Sequence, residues 1–290
     1  MSDIFNRGTG LLIIEVINSN PNGDPDRESD PRQRHDGRGE ISPVSFKRKL
    51  RDLVLHKDGP VWEEVGECLE IKDKKDQYDL LEKRDIDRQA VMKEIKNGEF
   101  LNKYWDARVF GNTFLEEDLS DKIQTGVAQF ALGVSISPIR IERMTTTKMA
   151  PVEEEKSRGM APLAFRIVQH GVYCMPFFIN ATAASKTKCT SKDIDLLLKL
   201  IPYAYTHTAS YIRSQVNIRH AFYVEHNSPV GKYNDFEIIE ALTPKRIGDM
   251  EKPSTLWNDY DSIGLKTQIS RLGEKIKEKT KGIRDLMLEM

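Results

Sequence analysis

Residues 18–26 bring amide, carboxylate and turn-forming side chains together directly after an apolar run. Asn18, Asn20 and Asn22 have the spacing of a calcium loop. Such a loop needs an acid at its first position and a glutamate at its twelfth, where this chain has Ser29, so an EF-hand site is excluded. Asn-Pro and Asn-Gly turns present backbone N–H groups and amides, which suit a phosphate or the edge of a base.

Asp24, Asp26 and Asp30 in the same stretch allow a second interpretation. Carboxylate oxygens hold magnesium, and bound magnesium can activate water for phosphodiester hydrolysis. Asp, Pro and Gly in a loop are also ordinary turn residues. The sequence therefore leaves open a magnesium-dependent ribonuclease as the alternative to a non-catalytic binding loop.

A strongly basic segment begins a few residues later. Lys47, Arg48, Lys49 and Arg51 fall in the first turns of a helix predicted to start at Ser42 and Pro43. Cations beside the free N–H groups and the positive end of the helix dipole form an anion site. We predict a phosphate-binding site here, with a basic solvated helix face as the alternative.

The segment from Tyr104 to Gly111 mixes aromatic residues with Arg108, as the stacking platforms of single-strand-binding proteins do. Trp105, Val109 and Phe110 would equally suit a buried core.

Other common catalytic patterns are missing from the sequence. The six histidines lack metal-ligand spacing, no Ser or Cys lies in a nucleophile elbow, and no glycine motif for nucleotide phosphates occurs. Cys68, Cys174 and Cys189 are far apart and form neither a disulfide framework nor a zinc motif. We expect no catalytic residue, no metal and no cofactor.

Composition limits the class of protein. The chain has 290 residues, 39% of them hydrophobic and 31% charged, without a run long enough to span a membrane or a secretory signal. We therefore expect a globular protein of the cytoplasm with no membrane partner. Net charge is −1, but residues 61–120 carry 10 basic and 16 acidic residues, and residues 121–220 carry 13 and 7. This segregation suits an anionic ligand, or head-to-tail contacts between identical subunits.

Hydropathy patterns predict the elements that position these residues. Helices are predicted from Ser42, over residues 191–211 with Ser191 as N-cap, and from about residue 264. The order strand, helix, strand, strand, helix, strand predicts an α+β, ferredoxin-like fold related to RNA-recognition domains. Polar residues 18–42 are expected to be irregular, and residues 61–105 to form solvated helices of an insertion. The predicted strands are residues 11–17, 126–136, 165–179 and 219–225.

Four motifs in this order resemble the CRISPR-associated backbone subunit of Cascade, the Cas "seven" family of the RAMP superfamily, in its Csd/Csh branch of type I-C and I-B systems. They are Asn-x-Asn-Pro-Asn-Gly-Asp-Pro-Asp at residues 18–26, Phe-Lys-Arg-Lys-Leu-Arg at 46–51, Asp-x-Arg-x-Phe-Gly at 106–111 and Gln-Phe-Ala-Leu-Gly-Val-Ser-Ile-Ser-Pro-Ile at 129–139.

The resemblance implies a subunit that polymerises along CRISPR RNA and presents the guide to target DNA, beside large, small and repeat-processing subunits. It implies no nuclease activity, because type I backbone subunits are not nucleases. It also implies an RNA-recognition palm (residues 1–56, 126–139 and 165–225), fingers (57–125), a thumb (140–164) and a C-terminal extension (226–290).

The resemblance also implies the residues that contact RNA. On the palm and fingers these are Asn20, Asn22, Lys47, Arg48, Arg51 and Arg108. The cations of the thumb are Arg140, Arg143, Lys148, Lys156 and Arg158. The thumb residues that would wedge between bases are Met144, Met149 and Met160.

Overall fold

The structure is a computed structural model that describes residues 5–84, 86–112, 124–147 and 162–290. In these ranges the strands are β1 (Gly8–Ser19), β2 (Gly23–Asp24), β3 (Asp30–Pro31), β4 (Arg38–Ile41), β5 (Gly111–Asn112), β6 (Gln124–Thr125), β7 (Ala128–Phe130), β8 (Gly133–Pro138), β9 (Ile141–Thr147), β10 (Pro162–Ile179), β11 (Val216–His226) and β12 (Thr280–Asp285). The α-helices are α1 (Pro43–Leu55), α2 (Pro60–Cys68), α3 (Arg88–Asn97), α4 (Phe100–Lys103), α5 (Trp105–Phe110), α6 (Ala184–Thr187), α7 (Ser191–Leu200), α8 (Asp235–Leu242) and α9 (Ser262–Ile276).

One large antiparallel sheet organises the molecule. Its strands lie in the order β12-β11-β1-β10-β8-β4, and β7 and β9 also pair with β10. The predicted first strand is confirmed as a central one, since β1 pairs with β10 on one side and β11 on the other. The sheet with its helices confirms the predicted α+β class.

Helices cover both faces of the sheet. Leu12, Ile14 and Val16 of β1 lie in the core that contains the buried apolar residues of α1 and α7. Leu11 and Ile13 point to the other face, where they join a second core that includes residues of α8 and α9. Burial on both faces explains why this strand is apolar at successive positions rather than at alternate ones.

The first helix starts as predicted. Ser42 is the N-cap of α1, its hydroxyl oxygen accepts a hydrogen bond from the Ser45 N–H at 3.2 Å, and Pro43 is the first helical residue. The predicted N-cap of α7 was wrong by one residue. Thr190 is the cap, because its hydroxyl and the Asp193 carboxylate form a reciprocal capping box.

Several predicted boundaries change in the structure. The helix predicted over residues 191–211 ends at Leu200 and continues as short 3-10 turns, the first of which contains Pro202, a residue that cannot extend an α-helix. The strand predicted over residues 126–136 is divided into β7 and β8. The prediction that residues 18–42 are irregular was wrong in part, since β4 pairs with β8.

The described part of residues 61–105, which were expected to form solvated helices, buries several side chains. Trp62 of α2 and Trp105 of α5 are buried in the same core as α1. A smaller cluster, which includes Val91 and Phe100, lies beside that core. Among the residues that the structure describes, no helix is long and apolar enough to cross a membrane.

Candidate nucleic-acid interface

The C-terminal end of β1 is joined to the segment of residues 206–215. The Asn20 N–H donates to the Ile212 carbonyl at 2.8 Å, and Arg213 Nε donates to the Asn20 carbonyl at 3.2 Å. The Gln215 N–H donates to the Ser19 hydroxyl at 3.1 Å. These bonds place a cationic and aromatic segment beside the asparagine-rich loop.

The two asparagines expected near RNA are buried and hold this loop in place. Asn20 Nδ2 donates to the Ser29 carbonyl at 2.8 Å, while its Oδ1 is buried without a hydrogen-bond partner. Asn22 Oδ1 accepts the Ser42 N–H at 2.6 Å and so connects the loop to the start of α1. Their amides therefore shape the loop, and its backbone and exposed side chains are the groups available to a ligand.

The cations of α1 contact different neighbours, and Lys49 reaches the 206–215 segment. Lys49 Nζ donates to the Thr208 carbonyl at 3.2 Å. Arg48 is exposed, forms an ion pair with Asp52 at 2.8 Å and donates to the Glu82 carbonyl. Lys47 Nζ lies 5.1 Å from the centre of the Phe110 ring.

Two of these lysines have unfavourable surroundings for a positive charge. Burial lowers the pKa of Lys47, and the charge of Arg51 lowers it further. Burial likewise lowers the pKa of Lys49, as does the charge of Arg213. Because neighbouring cations repel one another, a bound anion would stabilise both sites.

Arg51 and Arg108 were expected to contact RNA, but the structure places both in buried ion pairs. Arg51 Nε lies 2.9 Å from the Asp106 carboxylate, and Arg108 Nη2 lies 2.7 Å from the Asp193 carboxylate. Both arginine side chains are at most 7% exposed. Each guanidinium is therefore paired with a buried carboxylate inside the protein.

The three aspartates of the ribonuclease hypothesis have different surroundings. Asp24 lies 3.9 Å from Arg32, Asp30 forms an ion pair with Arg166, and Asp26 is exposed. Across the described ranges, no group of three or more His, Cys, Asp or Glu residues is arranged to hold a metal ion.

Part of the predicted thumb is a β-hairpin formed by β9 and the start of β10. Across it, Met144 is opposite Phe165 and Arg143 is opposite Arg166. Arg140 precedes the hairpin and is 68% exposed. The remaining predicted thumb contacts lie outside the described residues: Lys148, Met149, Lys156, Arg158 and Met160.

Sequence reasoning did not assign a ligand role to Tyr211 or Arg213. The tertiary structure brings both, together with Lys49, to the end of β1. The available signal was the polar stretch Thr-His-Thr-Ala-Ser-Tyr-Ile-Arg at residues 206–213, which mixes aromatic, hydroxyl and cationic side chains as nucleic-acid-binding segments do.

The chain matches one family of known proteins over most of its length. The family model described as "CRISPR-associated protein Cas7" matches residues 6–266. No curated protein matches the chain.

Chains of two solved structures match this chain, and the first of them shares its fold. A chain of a "CRISPR RNA-guided surveillance complex, pre-nicking" is 15% identical, with a TM-score of 0.55, over 93% of this chain and 89% of that one. A chain of a "CRISPR RNA-guided surveillance complex" is 13% identical, with a TM-score of 0.46, over 92% of this chain and 84% of that one.

Proposed function

The chain belongs to the Cas7 family of CRISPR-associated proteins, and we propose that it is a structural backbone subunit of a type I CRISPR interference complex. It polymerises along CRISPR RNA, binds the RNA backbone and presents the guide for pairing with target DNA. Its partners are CRISPR RNA, further copies of itself and the other subunits of the complex. The family match over residues 6–266 and the fold support this proposal.

The observation that carries the RNA-binding site is the cation cluster at the end of β1. Lys49 of α1 donates to the Thr208 carbonyl and lies near Arg213 of the 206–215 segment, beside the loop held by Asn20, and Lys47 and Arg48 precede Lys49 on the same helix. Arg140, directly before the hairpin, and Arg143 on it are exposed cations that we propose as further phosphate contacts. Contacts to phosphates are independent of base identity, so the sequence is read by base pairing.

We infer the same division into palm, fingers, thumb and C-terminal extension that the resemblance implies. The strand order β11-β1-β10-β8, with α1 and α7 contributing to the core on one face, supports a ferredoxin-like palm. The motifs resemble those of the Csd/Csh branch of type I-C and I-B systems. Cys68, Cys174 and Cys189 are unpaired, which fits the reducing cytoplasm.

The phosphate site is tested by removing two of its charges. Replacing Lys47→Gln and Arg48→Gln together keeps most of each aliphatic stem but deletes two cations. RNA affinity should fall, and the slope of log K against log salt should become shallower by about 1.4, since each contact to a single strand contributes about 0.7. Filter binding across a salt series measures both.

The matched control removes two exposed lysines from the other face of the sheet, Lys266→Gln in α9 and Lys277→Gln directly after it. These changes alter net charge equally and should leave the slope unchanged. An equal change in both double variants would show that α1 is only a solvated basic face.

The ribonuclease alternative is separated by a cleavage assay. The guide-loaded complex, incubated with labelled complementary RNA or DNA and Mg²⁺, should leave the target intact because Asp24 and Asp30 lie beside arginines and Asp26 is exposed to solvent. Mg²⁺-dependent cleavage that disappears in Asp24→Ala would establish the enzyme instead.

A further inference from the structure

Tyr211 presents an aromatic surface to solvent next to the cation cluster. It lies in a 3-10 turn, Tyr211–Arg213, and 71% of its surface is exposed. Its ring centre is 5.6 Å from that of Phe165 at an angle of 57°. Phe165 therefore supports the tyrosine ring without covering it.

The turn that carries Tyr211 is held on two sides. The residue after it, Ile212, accepts the Asn20 N–H at 2.8 Å, and Arg213 Nε donates to the Asn20 carbonyl at 3.2 Å. On the other side Lys49 Nζ donates to the Thr208 carbonyl. Because the backbone is fixed, a ligand that stacks on Tyr211 orders little additional chain.

The surroundings match the chemistry of a nucleobase with its phosphate. Met144 lies opposite Phe165 across the hairpin and is 43% exposed, which adds a second apolar side chain at the same level. Arg213 and Lys49 place two positive charges behind the turn, and the charge of Arg213 contributes to lowering the pKa of Lys49. An exposed aromatic ring beside cations is the arrangement on which single-stranded bases stack.

We propose that Tyr211, supported by Phe165 and flanked by Met144, is a stacking platform for a base of the bound RNA strand, whose phosphates contact Lys49 and Arg213. The platform presupposes the RNA-binding function proposed above. It gives the site a contact to the base in addition to its contacts to the backbone, and this contact accepts any base because every base has a π-face.

The test separates base from backbone by using two probes with the full-length protein. One is a single-stranded RNA oligonucleotide, and the other is the same oligonucleotide with abasic ribose residues, which keeps the phosphates and lacks the bases. Tyr211→Ala should weaken binding to the base-bearing RNA about five- to hundredfold and leave binding to the abasic strand unchanged. Tyr211→Phe keeps the ring and should bind both probes like the original chain.

Two further variants complete the design. Phe236→Ala removes an aromatic side chain that is 77% exposed on α8, and it should change neither affinity. The Lys47→Gln, Arg48→Gln double variant should bind both probes more weakly, because both probes carry phosphates. Ultraviolet irradiation of the RNA-loaded complex, followed by mass spectrometry, should give a nucleotide adduct on the peptide that contains Tyr211.

Several results would overturn the platform. An equal loss of affinity for both probes in Tyr211→Ala would mean that Tyr211 contacts the RNA backbone. Unchanged RNA affinity with fewer protein copies per complex would mean that Tyr211 contacts another protein subunit. Unchanged affinity together with adducts confined to other peptides would remove it from the site. If the original chain binds neither probe, the proposed function itself fails, and the platform fails with it.

Discussion

Asp106 and Arg108 lie two residues apart on α5, and each closes a different buried ion pair. The Asp106 carboxylate accepts a hydrogen bond from Arg51 Nε at 2.9 Å, and it also accepts hydrogen bonds from the backbone N–H groups of Leu81 and Glu82. Arg108 donates to both carboxylate oxygens of Asp193. Asp106 and Arg108 therefore join α5 to α1 through Arg51 and to α7 through Asp193.

The last residue of the same motif is a glycine for a steric reason. Gly111 has a φ of +83°, and a Cβ there would lie 2.3 Å from the Gln124 carbonyl oxygen. A side chain would clash with the backbone of the strand that pairs with it, so the motif is explained by packing at each of these three positions.

Asp106→Ala should destabilise the protein by about 3–5 kcal/mol, because it leaves the buried Arg51 without its closest carboxylate and two backbone N–H groups without an acceptor. Urea unfolding followed by circular dichroism measures the change in the free energy of unfolding. Asp76→Ala, at an exposed carboxylate, is the control and should stay within about 0.5 kcal/mol. Similar stability in both variants would mean that the Asp106 ion pair contributes nothing.

At the scale of elements, the connection between α1 and α2 contains a lysine in an unusual position. Lys57 Nζ lies 3.4 Å from the centre of the Trp62 ring and donates to the Tyr78 carbonyl at 2.7 Å. Burial lowers the pKa of Lys57 from 10.5 to about 7, and the charge of Asp79 offsets only part of that effect. The connection between α1 and α2 therefore buries an amine whose protonated form lowers the stability of the folded protein.

Stability should consequently rise with pH above neutrality. Between pH 7 and about pH 10 the unfolded chain keeps a proton on Lys57 that the folded protein has lost, so raising the pH favours folding. Urea unfolding at pH 7 and pH 9 should show this increase in the original protein and in Lys266→Met, but a smaller one in Lys57→Met. Equal slopes in all three would contradict the low pKa.

Elements that depend on a distant partner were the ones that sequence patterns missed. β1 was predicted because its run of apolar residues indicates a buried strand regardless of context. β4, by contrast, is a four-residue segment in a polar stretch and exists because β8 offers it a free edge. The same applies to β12, which pairs with β11.

At the scale of the whole molecule, carboxylates join the C-terminal elements to the sheet. Asp235 at the start of α8 accepts hydrogen bonds from Thr9 of β1 and from Arg7, and lies 3.4 Å from His226. Burial alone would raise its pKa, but hydrogen bonds from His226, Arg7 and Thr9 outweigh burial and lower the pKa well below 3.8. Hydrogen bonds likewise outweigh burial at Glu15 and Asp285 and lower the pKa values of both carboxyl groups.

This arrangement predicts loss of stability in acid. The contribution of Asp235 is complete above the pKa that the residue has in the unfolded chain, near 4, and it decreases as the pH falls toward the lower pKa of the folded protein. Asp235→Asn should cost about 2 kcal/mol at pH 7, as expected for lost hydrogen bonds to a charged group, and should weaken the dependence of stability on pH below 5. Asp249→Asn, at an exposed carboxylate, should do neither.

The midpoint of urea unfolding at pH 7, 5, 4 and 3 measures both effects. An acid dependence in Asp235→Asn as steep as in the original chain would show that this carboxylate does not connect α8 to the sheet.

Sequence alone determined the features that depend on local chemistry. These are the central strand, the capped start of α1, the α+β class and the presence of a basic, turn-rich region suited to RNA. Each follows from the order of side chains along a short stretch, and that order is the same in the folded and the unfolded chain.

Only the tertiary structure decided which of the charged residues are free to bind. Arg48 and Arg51 are three residues apart on one helix, yet Arg48 is exposed and Arg51 is buried against Asp106, which is distant in sequence. Tyr211 and Arg213 joined the site because residues 206–215 bond to the end of β1. Charge type is a local property, but desolvation and pairing depend on which distant segments fold against a residue.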